Sequence, residues 1–384
     1  DAIFPETANL EDLFTDVRGV YSLYGSADDM SWRSFDGAHH FTDEGRSLAY
    51  NWLEQRFFPV GDVRRMPSKL ADWKSQRDTL KRIMMRTIGT RAVPKPPLKV
   101  ELLDTERLDR YERRLIEYSV SSQERVRAYL CLPDGVDTPS PAMLVLHQTK
   151  AEGKREPMDL EGDPGLAFAH ELAERGYVTL APDSITAGDR IDRGKEYDTR
   201  DHYQRFPSLS AMGKMLLDAQ VALDVLATLA NVDQDRIGTI GHSLGAEEAV
   251  FLTAFDERIK AAVLSCGYAT MRADPERMRW ARDHWFSYMP KLRPVFQRGD
   301  VPHWDWDDVL RLCAPRPVFH YNTEDDQIFI HSESAHEAAE ESRAIWTLYD
   351  AGENLVNVLR PGKHAIDATS KREAYEWLDK HLQP

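Results

Sequence analysis

The chain has 384 residues, 42% hydrophobic and 29% charged, enough apolar side chains for a sizeable core in one large α/β domain. A net charge of −15 argues against nucleic acid as the main partner, and no run nears the roughly 18 apolar residues of a membrane span. Cys131, Cys266 and Cys313 sit in apolar runs without CxxC spacing, which reads as buried thiols and not as a disulfide framework or zinc site. A soluble chain is expected. With no signal-peptide pattern and no initiating Met, the start of the gene product and its compartment are not legible.

Residues 1–57 form a segment of their own, and 58–97 are basic and helix-like, ending in the breaker-rich "RAVPKPPLK". That stretch reads as a helical linker ahead of a catalytic domain at 98–384. "LKVELL", "YERRLIEYSV" and "RVRAYLCLP" alternate in the manner of an antiparallel start. Short apolar strands then alternate with helical stretches: "AMLVLH", "VTLAPD", "RIGTIG", "IKAAVLSCG", "PVFHYN" and "LVNVLR", each followed by a helix or a long excursion. This rhythm predicts an α/β fold, a mostly parallel central sheet with helices on both faces. Ligands belong at the carboxyl ends of such strands.

At the end of the fifth strand stands "IGHSLGAEEA", containing Gly241, Ser243 and Gly245 in G-x-S-x-G spacing. The motif demands a tight strand-to-helix turn that strains the serine and needs small flanking residues. The serine oxygen then projects at a helix N-terminus, where the dipole favours developing negative charge. An apolar strand before it and an amphipathic helix after it make Ser243 the candidate nucleophile.

A serine hydroxyl at its ordinary pKa needs a base, and the base an orienting acid. In this motif's setting the acid and then the base follow the serine along the chain. The histidines after Ser243 are His284, His303, His320, His331, His336, His364 and His381. His364 alone follows the last predicted strand in a glycine-containing loop, "RPGKHAI", which selects it as base. For the acid, "NTEDDQIF" offers Glu324, Asp325 and Asp326; Asp326 is favoured because "D-x-I-F" continues into the next helix, and Asp325 is the alternative.

Together, "LVLHQTKAEGKREPMDLEGDPGLAFAHELAERGYVTLAPDS", "VDQDRIGTIGHSLGAEEAVFLTAFDERIKAAVLSCG" and "CAPRPVFHYNTEDDQIF" resemble the acetyl xylan esterase-like and dienelactone hydrolase-like branch of the α/β-hydrolases, over roughly 66–384. The resemblance implies a Ser243–His364–Asp326 triad and an oxyanion hole from the Leu244 backbone N–H plus that of Thr149, with Gln148 as alternative. Many relatives have glycine where this chain has Gln148. Dienelactone hydrolases proper carry a cysteine nucleophile, so Ser243 points to ester hydrolysis. The implied activity is that of a serine carboxylesterase on short-acyl, acetyl-type esters, including those of carbohydrates, without cofactor or metal. A peptidase, amidase or lactone hydrolase on the same triad, or a non-catalytic scaffold, are the alternatives.

Slid by 325 positions, the start of the chain falls on its end: Asp1, Ile3 and Phe4 meet Asp326, Ile328 and Phe329, and Gly37 and His39 meet Gly362 and His364. Ala49, Tyr50, Trp52 and Leu53 meet Ala374, Tyr375, Trp377 and Leu378. Residues 1–57 are therefore expected to be a tandem-repeat copy of the final quarter of a hydrolase module, lacking a nucleophile of its own, with His39 a decoy.

An aromatic-rich insertion, 271–310 between strands six and seven, is placed to shape the pocket. Trp280, Trp285, Phe286, Tyr288, Trp304 and Trp306 are candidates to stack on sugars or to pack the insertion down. Tyr268, Trp304, Trp306 and His147 are taken as possible pocket residues, although His147 also suits a brace for the oxyanion loop.

Overall fold

The computed structural model describes residues 8–24, 26, 30–33, 42, 45–46, 48–49, 52–53, 65–89, 97–135, 139–191 and 195–383. They fall in two compact units, 1–62 and 63–384. In the first unit, helix α1 (Ala8–Leu23) is followed by a short segment in which the Trp32 ring stacks on Phe14, centroids 4.8 Å apart. Thr42 then caps a helical turn, its Oγ1 accepting the Gly45 N–H at 3.0 Å.

The second unit is built on one sheet of β1 (Val100–Arg107), β2 (Tyr111–Ser119), β3 (Arg125–Pro133), β4 (Ser140–Leu146), β5 (Val178–Pro182), β6 (Val232–His242), β7 (Ile259–Ser265), β8 (Val318–Thr323) and β9 (Leu355–Arg360). The spatial order is β1-β2-β3-β5-β4-β6-β7-β8-β9. The first three strands pair antiparallel, β3 meets β5 antiparallel, and every pairing from β5 to β9 is parallel. β1 is an extra edge strand. The strand that leads to Ser243 is therefore β6 and not the fifth, and the aromatic insertion lies between β7 and β8. Every residue of β1 is exposed, and the charges of "VELLDTER" blunt the open edge. β4, by contrast, is buried at every position, as a strand covered on both faces must be.

Helices α2 (Leu70–Ile88), α3 (Phe168–Glu174), α4 (Ala211–Ala227), α5 (Leu244–Phe255), α6 (Glu333–Thr347) and α7 (Ala368–Leu382) supply that cover. On one face Leu172 and Ala173 of α3 and Ala374, Leu378 and Leu382 of α7 close over Met143, Val145, Ile240, Val263 and Phe319 of the sheet. α4, α5 and α6 cover the other, with α2 packed on α4. α2 belongs to this unit and is not a linker: Trp73, Leu80, Met84 and Ile88 are fully buried, and Ser210, the α4 N-cap, donates its hydroxyl to the Ile88 carbonyl at 2.7 Å. The insertion is pinned by Asp305, which caps the short helix Trp306–Arg311 and accepts the Met271 N–H at 2.7 Å. Asp307 adds Arg272 at 2.8 Å and Arg311 at 2.7 Å. No described helix is long and apolar enough to cross a membrane.

The 325-residue shift can be laid on the secondary structure. It carries α1 onto 333–348, and α6 spans Glu333–Thr347. It carries Thr42 onto Asp367, the N-cap of α7, whose carboxylate accepts the Ser370 N–H at 3.0 Å. Asp1, Ile3, Phe4, Gly37, His39 and Tyr50 lie outside the described residues.

Candidate active site

β6 delivers the chain to Ser243 in a conformation that residues other than glycine rarely adopt, φ 54° and ψ −123°. Holding a serine there costs on the order of 1–3 kcal/mol and needs support from the surroundings. The support is local: the Ser243 N–H donates to the Ser265 carbonyl at 2.8 Å, and the Ser243 carbonyl accepts the Ala246 N–H at 2.8 Å. The flanking glycines are required by space. A Cβ on Gly241 would lie 2.2 Å from the Gly245 backbone, and one on Gly245 would lie 2.1 Å from the Leu146 carbonyl oxygen. That second contact seats the start of α5 against the end of β4. Leu244 opens α5, so its N–H has no acceptor within the helix.

Asp326 and His364 come together although 38 residues separate them: His364 Nδ1 and Asp326 Oδ2 are 2.7 Å apart, with side chains 7% and 1% exposed. The other carboxylate oxygen, Oδ1, accepts the N–H groups of Ile328 at 2.8 Å and Phe329 at 2.9 Å, so the acid is fixed in orientation. Asp325 is exposed, and its N–H donates to the Gly362 carbonyl at 3.0 Å, tying the loop after β8 to the loop after β9. With Nδ1–H donated to the carboxylate, Nε2 is the ring nitrogen left to receive a proton. The His364 ring lies 4.8 Å, centroid to centroid, from that of His242, the residue before Ser243. Phe329 meets the His364 ring edge-on at 5.6 Å and is itself stacked on Trp280 at 5.6 Å, an aromatic seat for the imidazole.

His242 is no rival base. It is buried with Nδ1 on Ser265 Oγ at 2.9 Å, and burial, reinforced by the neighbouring His364, holds it well below the usual histidine range. Cys266 lies behind the pair, its sulfur within 4.8 Å of the ligand atoms of Asp326 and His364. Burial pushes that thiol up to about 12, so on its own it is a neutral S–H at physiological pH.

The loop after β4 is held from three sides. His147 is buried at 3% exposure; its Nδ1–H donates to the Gln148 carbonyl at 2.7 Å and its Nε2 accepts the Ser184 N–H at 3.0 Å. Both ring nitrogens are used and burial lowers its pKa, so His147 is a neutral brace and not a pocket residue. The Tyr197 hydroxyl accepts the Lys150 N–H at 2.8 Å and has the carbonyls of Lys150 and Gln148 within reach of its proton at 3.0 and 3.2 Å. Lys154, 4% exposed, joins Asp183 at 2.7 Å and Asp189 at 2.6 Å. The Gln148 side chain turns away to Glu156 at 2.8 Å. Among the described residues no acceptor is paired with the Thr149 N–H.

The sequence profile of the dienelactone hydrolase family matches residues 126–279. YtaP of Bacillus subtilis (strain 168), provisionally designated a hydrolase, is 28% identical over 293 residues, covering 74% of this chain and 93% of its own. A glucuronoyl esterase from Solibacter usitatus superposes with a TM-score of 0.66 at 18% identity, over 82% of this chain and 94% of that one. A Bacteroides fragilis NCTC 9343 protein, provisionally designated an acetyl xylan esterase, superposes with a TM-score of 0.61 at 18% identity, over 88% and 86%. The chain thus has the α/β-hydrolase fold, and its residues 126–279 are similar to the dienelactone hydrolase family.

The other sequence-chosen pocket residues are buried in packing contacts. Tyr268 and Trp306 are buried and stacked on each other at 5.1 Å, and the Trp304 indole N–H donates to Thr87 at 3.0 Å. Trp280, Phe286 and Tyr288 are buried as well, whereas Trp285 stays 40% exposed. Sequence reading missed Tyr197 and the Lys154–Asp183 pair. Asp183 ends the quoted run "VTLAPD", a position where functional groups gather, but its partner is 29 residues away and Tyr197 follows no periodic pattern.

Proposed function

We propose that this α/β-hydrolase is a serine carboxylesterase that removes short acyl groups, acetyl above all, from carbohydrate esters. The observation that carries the reading is the strained Ser243 elbow beside a His364–Asp326 hydrogen bond. Ser243 Oγ attacks the ester carbonyl while His364 Nε2 takes its proton, and Asp326 steadies the imidazolium that results. The backbone N–H groups of Leu244 and Thr149 receive the oxyanion, a contribution of about 10²–10³ in rate for each such donor. His364 then returns its proton to the departing alcohol, and water, deprotonated by the same nitrogen, releases the acyl group from Ser243. The family profile, the esterases of the same fold and Ser243 in place of a cysteine support ester hydrolysis. A preference for acetyl rests on the resemblance of the sequence to acetyl xylan esterases.

The test is hydrolysis of p-nitrophenyl acetate, butyrate and octanoate, and of acetylated xylo-oligosaccharides, with Ser243→Ala as control. Turnover and fluorophosphonate labelling should both vanish in the variant while its circular dichroism is kept, and rates should fall from acetyl to octanoyl. Undiminished turnover by Ser243→Ala would end the reading. Activity on methyl glucuronate with none on acetylated sugars would move the sugar to the acyl side of the ester.

A further inference from the structure

Beside the insertion lies a cavity of about 630 Å³, within the range of roughly 300–1,000 Å³ usual for ligand sites. Trp285, Thr199, Tyr203, Gln204, Ser287 and Asp198 are among its lining residues. It offers the Trp285 and Tyr203 rings together with hydroxyl, amide, carboxylate and imidazole groups and the cations Lys195 and Arg200. The Trp285 backbone sits at φ 44°, a strained setting for a bulky residue. Its ring is held against the Tyr197 and Phe286 rings at 5.9 and 6.4 Å, with the Arg282 guanidinium 5.0 Å from its centroid. Strain of this kind costs on the order of 1–3 kcal/mol, and an indole left 40% exposed recovers little of it by burial.

The cavity is tied to the candidate active site. Tyr197 touches Trp285 with its ring and clasps the loop carrying Gln148 and Thr149 with its hydroxyl. A ligand lying on Trp285 is thus one side chain away from the oxyanion loop. The lining carries charge of both signs: Asp198 pairs with Arg200, Asp283 pairs with His284 at 2.7 Å and with Arg293 beside the cavity at 2.7 Å, and Lys195 adds a further cation. A ligand of one strong charge meets the opposite sign and its own on such a surface. A neutral polyhydroxylated ligand gains an apolar plate for its C–H face, carboxylates that accept its hydroxyl protons, and the Gln204 amide as donor and acceptor.

We propose that this cavity is an accessory subsite for a neutral oligosaccharide, binding the part of a glycan chain that extends from the esterified sugar. The subsite stands on its own geometry, and its role in turnover rests on the esterase reading above. Two measurements keep these apart. First, the intact chain is titrated with unesterified xylotetraose, cellotetraose and mannotetraose, followed by tryptophan fluorescence. At least one should bind saturably to both the wild type and Ser243→Ala, Trp285→Ala should weaken that binding about tenfold or more, and Trp285→Phe should restore part of it. Second, on acetylated xylotetraose Trp285→Ala should raise KM at little change in kcat, and should lose about tenfold more in kcat/KM than on p-nitrophenyl acetate. Thermal melting of both variants guards against a folding defect. Absence of saturable binding by all three sugars at millimolar concentration overturns the subsite, as does equal binding by wild type and Trp285→Ala, or preference for an oligogalacturonate. Sugar binding without ester turnover would leave the subsite standing and remove the proposed activity.

Discussion

Replacing Glu248 by Gln should make the protein more stable than the wild type, and by an amount that grows with pH. Glu248 lies on α5, 3% exposed, with Oε2 accepting the Ser184 hydroxyl at 3.1 Å. Burial pushes its carboxyl from the usual 4.5 up to about 8, Asp218 adding to the rise while Ser184 and Arg190 oppose it. The folded protein therefore holds this proton more tightly than the unfolded chain. The resulting stabilisation is complete below about pH 4.5 and is lost as pH rises through about 8. Each pH unit well inside that window is worth about 1.4 kcal/mol, and with the curve flattening near both ends roughly 3.5 kcal/mol goes between pH 5 and pH 8. Gln keeps the shape and an oxygen for Ser184 but has no proton to lose. Glu247, raised likewise to about 8 by burial, is present in both proteins and cancels in the difference. Urea unfolding at pH 5, 6, 7 and 8 should show the advantage of Glu248→Gln widening by about 3.5 kcal/mol, or roughly 4 °C in matched thermal scans. Parallel pH curves, or a gap that narrows as pH rises, would refute the assignment of a buried neutral acid.

Asp326→Asn should lower kcat by about 10⁴ while leaving KM for p-nitrophenyl acetate nearly unchanged, because it removes the acceptor that sets the His364 tautomer. Asp325→Asn should cost less than tenfold, and a reversed ranking would move the acid by one residue. Gly245→Ala drives a methyl group into the Leu146 carbonyl, so it should abolish activity and destabilise by about 3 kcal/mol or more in urea unfolding. His364→Ala should remove esterase activity and His39→Ala should leave it intact; the opposite pattern would make the N-terminal copy the working one.

What could be read before folding followed from local demands. The elbow was legible because a strained serine between two close-packed backbones admits only glycine at both flanks, so the need is written in three residues. The β-α rhythm gave strand order only in outline, since pairing across β5-β4-β6 is a long-range matter on which no single segment reports. His364 is selected by its position after a strand, and the structure brings it to Asp326 at 2.7 Å. Asp326 was preferred to Asp325 on the residues that follow it, and in the structure the Ile328 and Phe329 N–H groups are the ones that orient its carboxylate. The aromatic insertion misled in part: composition cannot distinguish an indole that plates a pocket from one that stacks under it, and Trp304 and Trp306 do the latter. Lys154–Asp183 was invisible because a buried ion pair joins two loops whose sequences carry no shared pattern.

The N-terminal likeness shows how far sequence equivalence extends. Local signals repeat faithfully: the Arg46 N–H meets the Thr42 carbonyl at 2.9 Å, as the Lys371 N–H meets that of Asp367 at 2.9 Å. Packing does not repeat. Ala338, Ile345 and Trp346 of α6 are buried against β8 and β9, whereas their equivalents on α1, Leu13, Val20 and Tyr21, are 54%, 54% and 40% exposed. Among the described residues of the first unit there is no strand to receive them. The Asp326–His364 hydrogen bond depends on such strands, because the two residues meet where the Glu324 N–H holds the Arg360 carbonyl at 2.9 Å and the Asp325 N–H holds that of Gly362. Both bonds continue the β8–β9 pairing into the loops beyond it. Equal spacing of an aspartate and a histidine along the chain is therefore not enough for a catalytic pair. The parallel strands supply the geometry, and the segment that repeats the residues has no described counterpart of those strands.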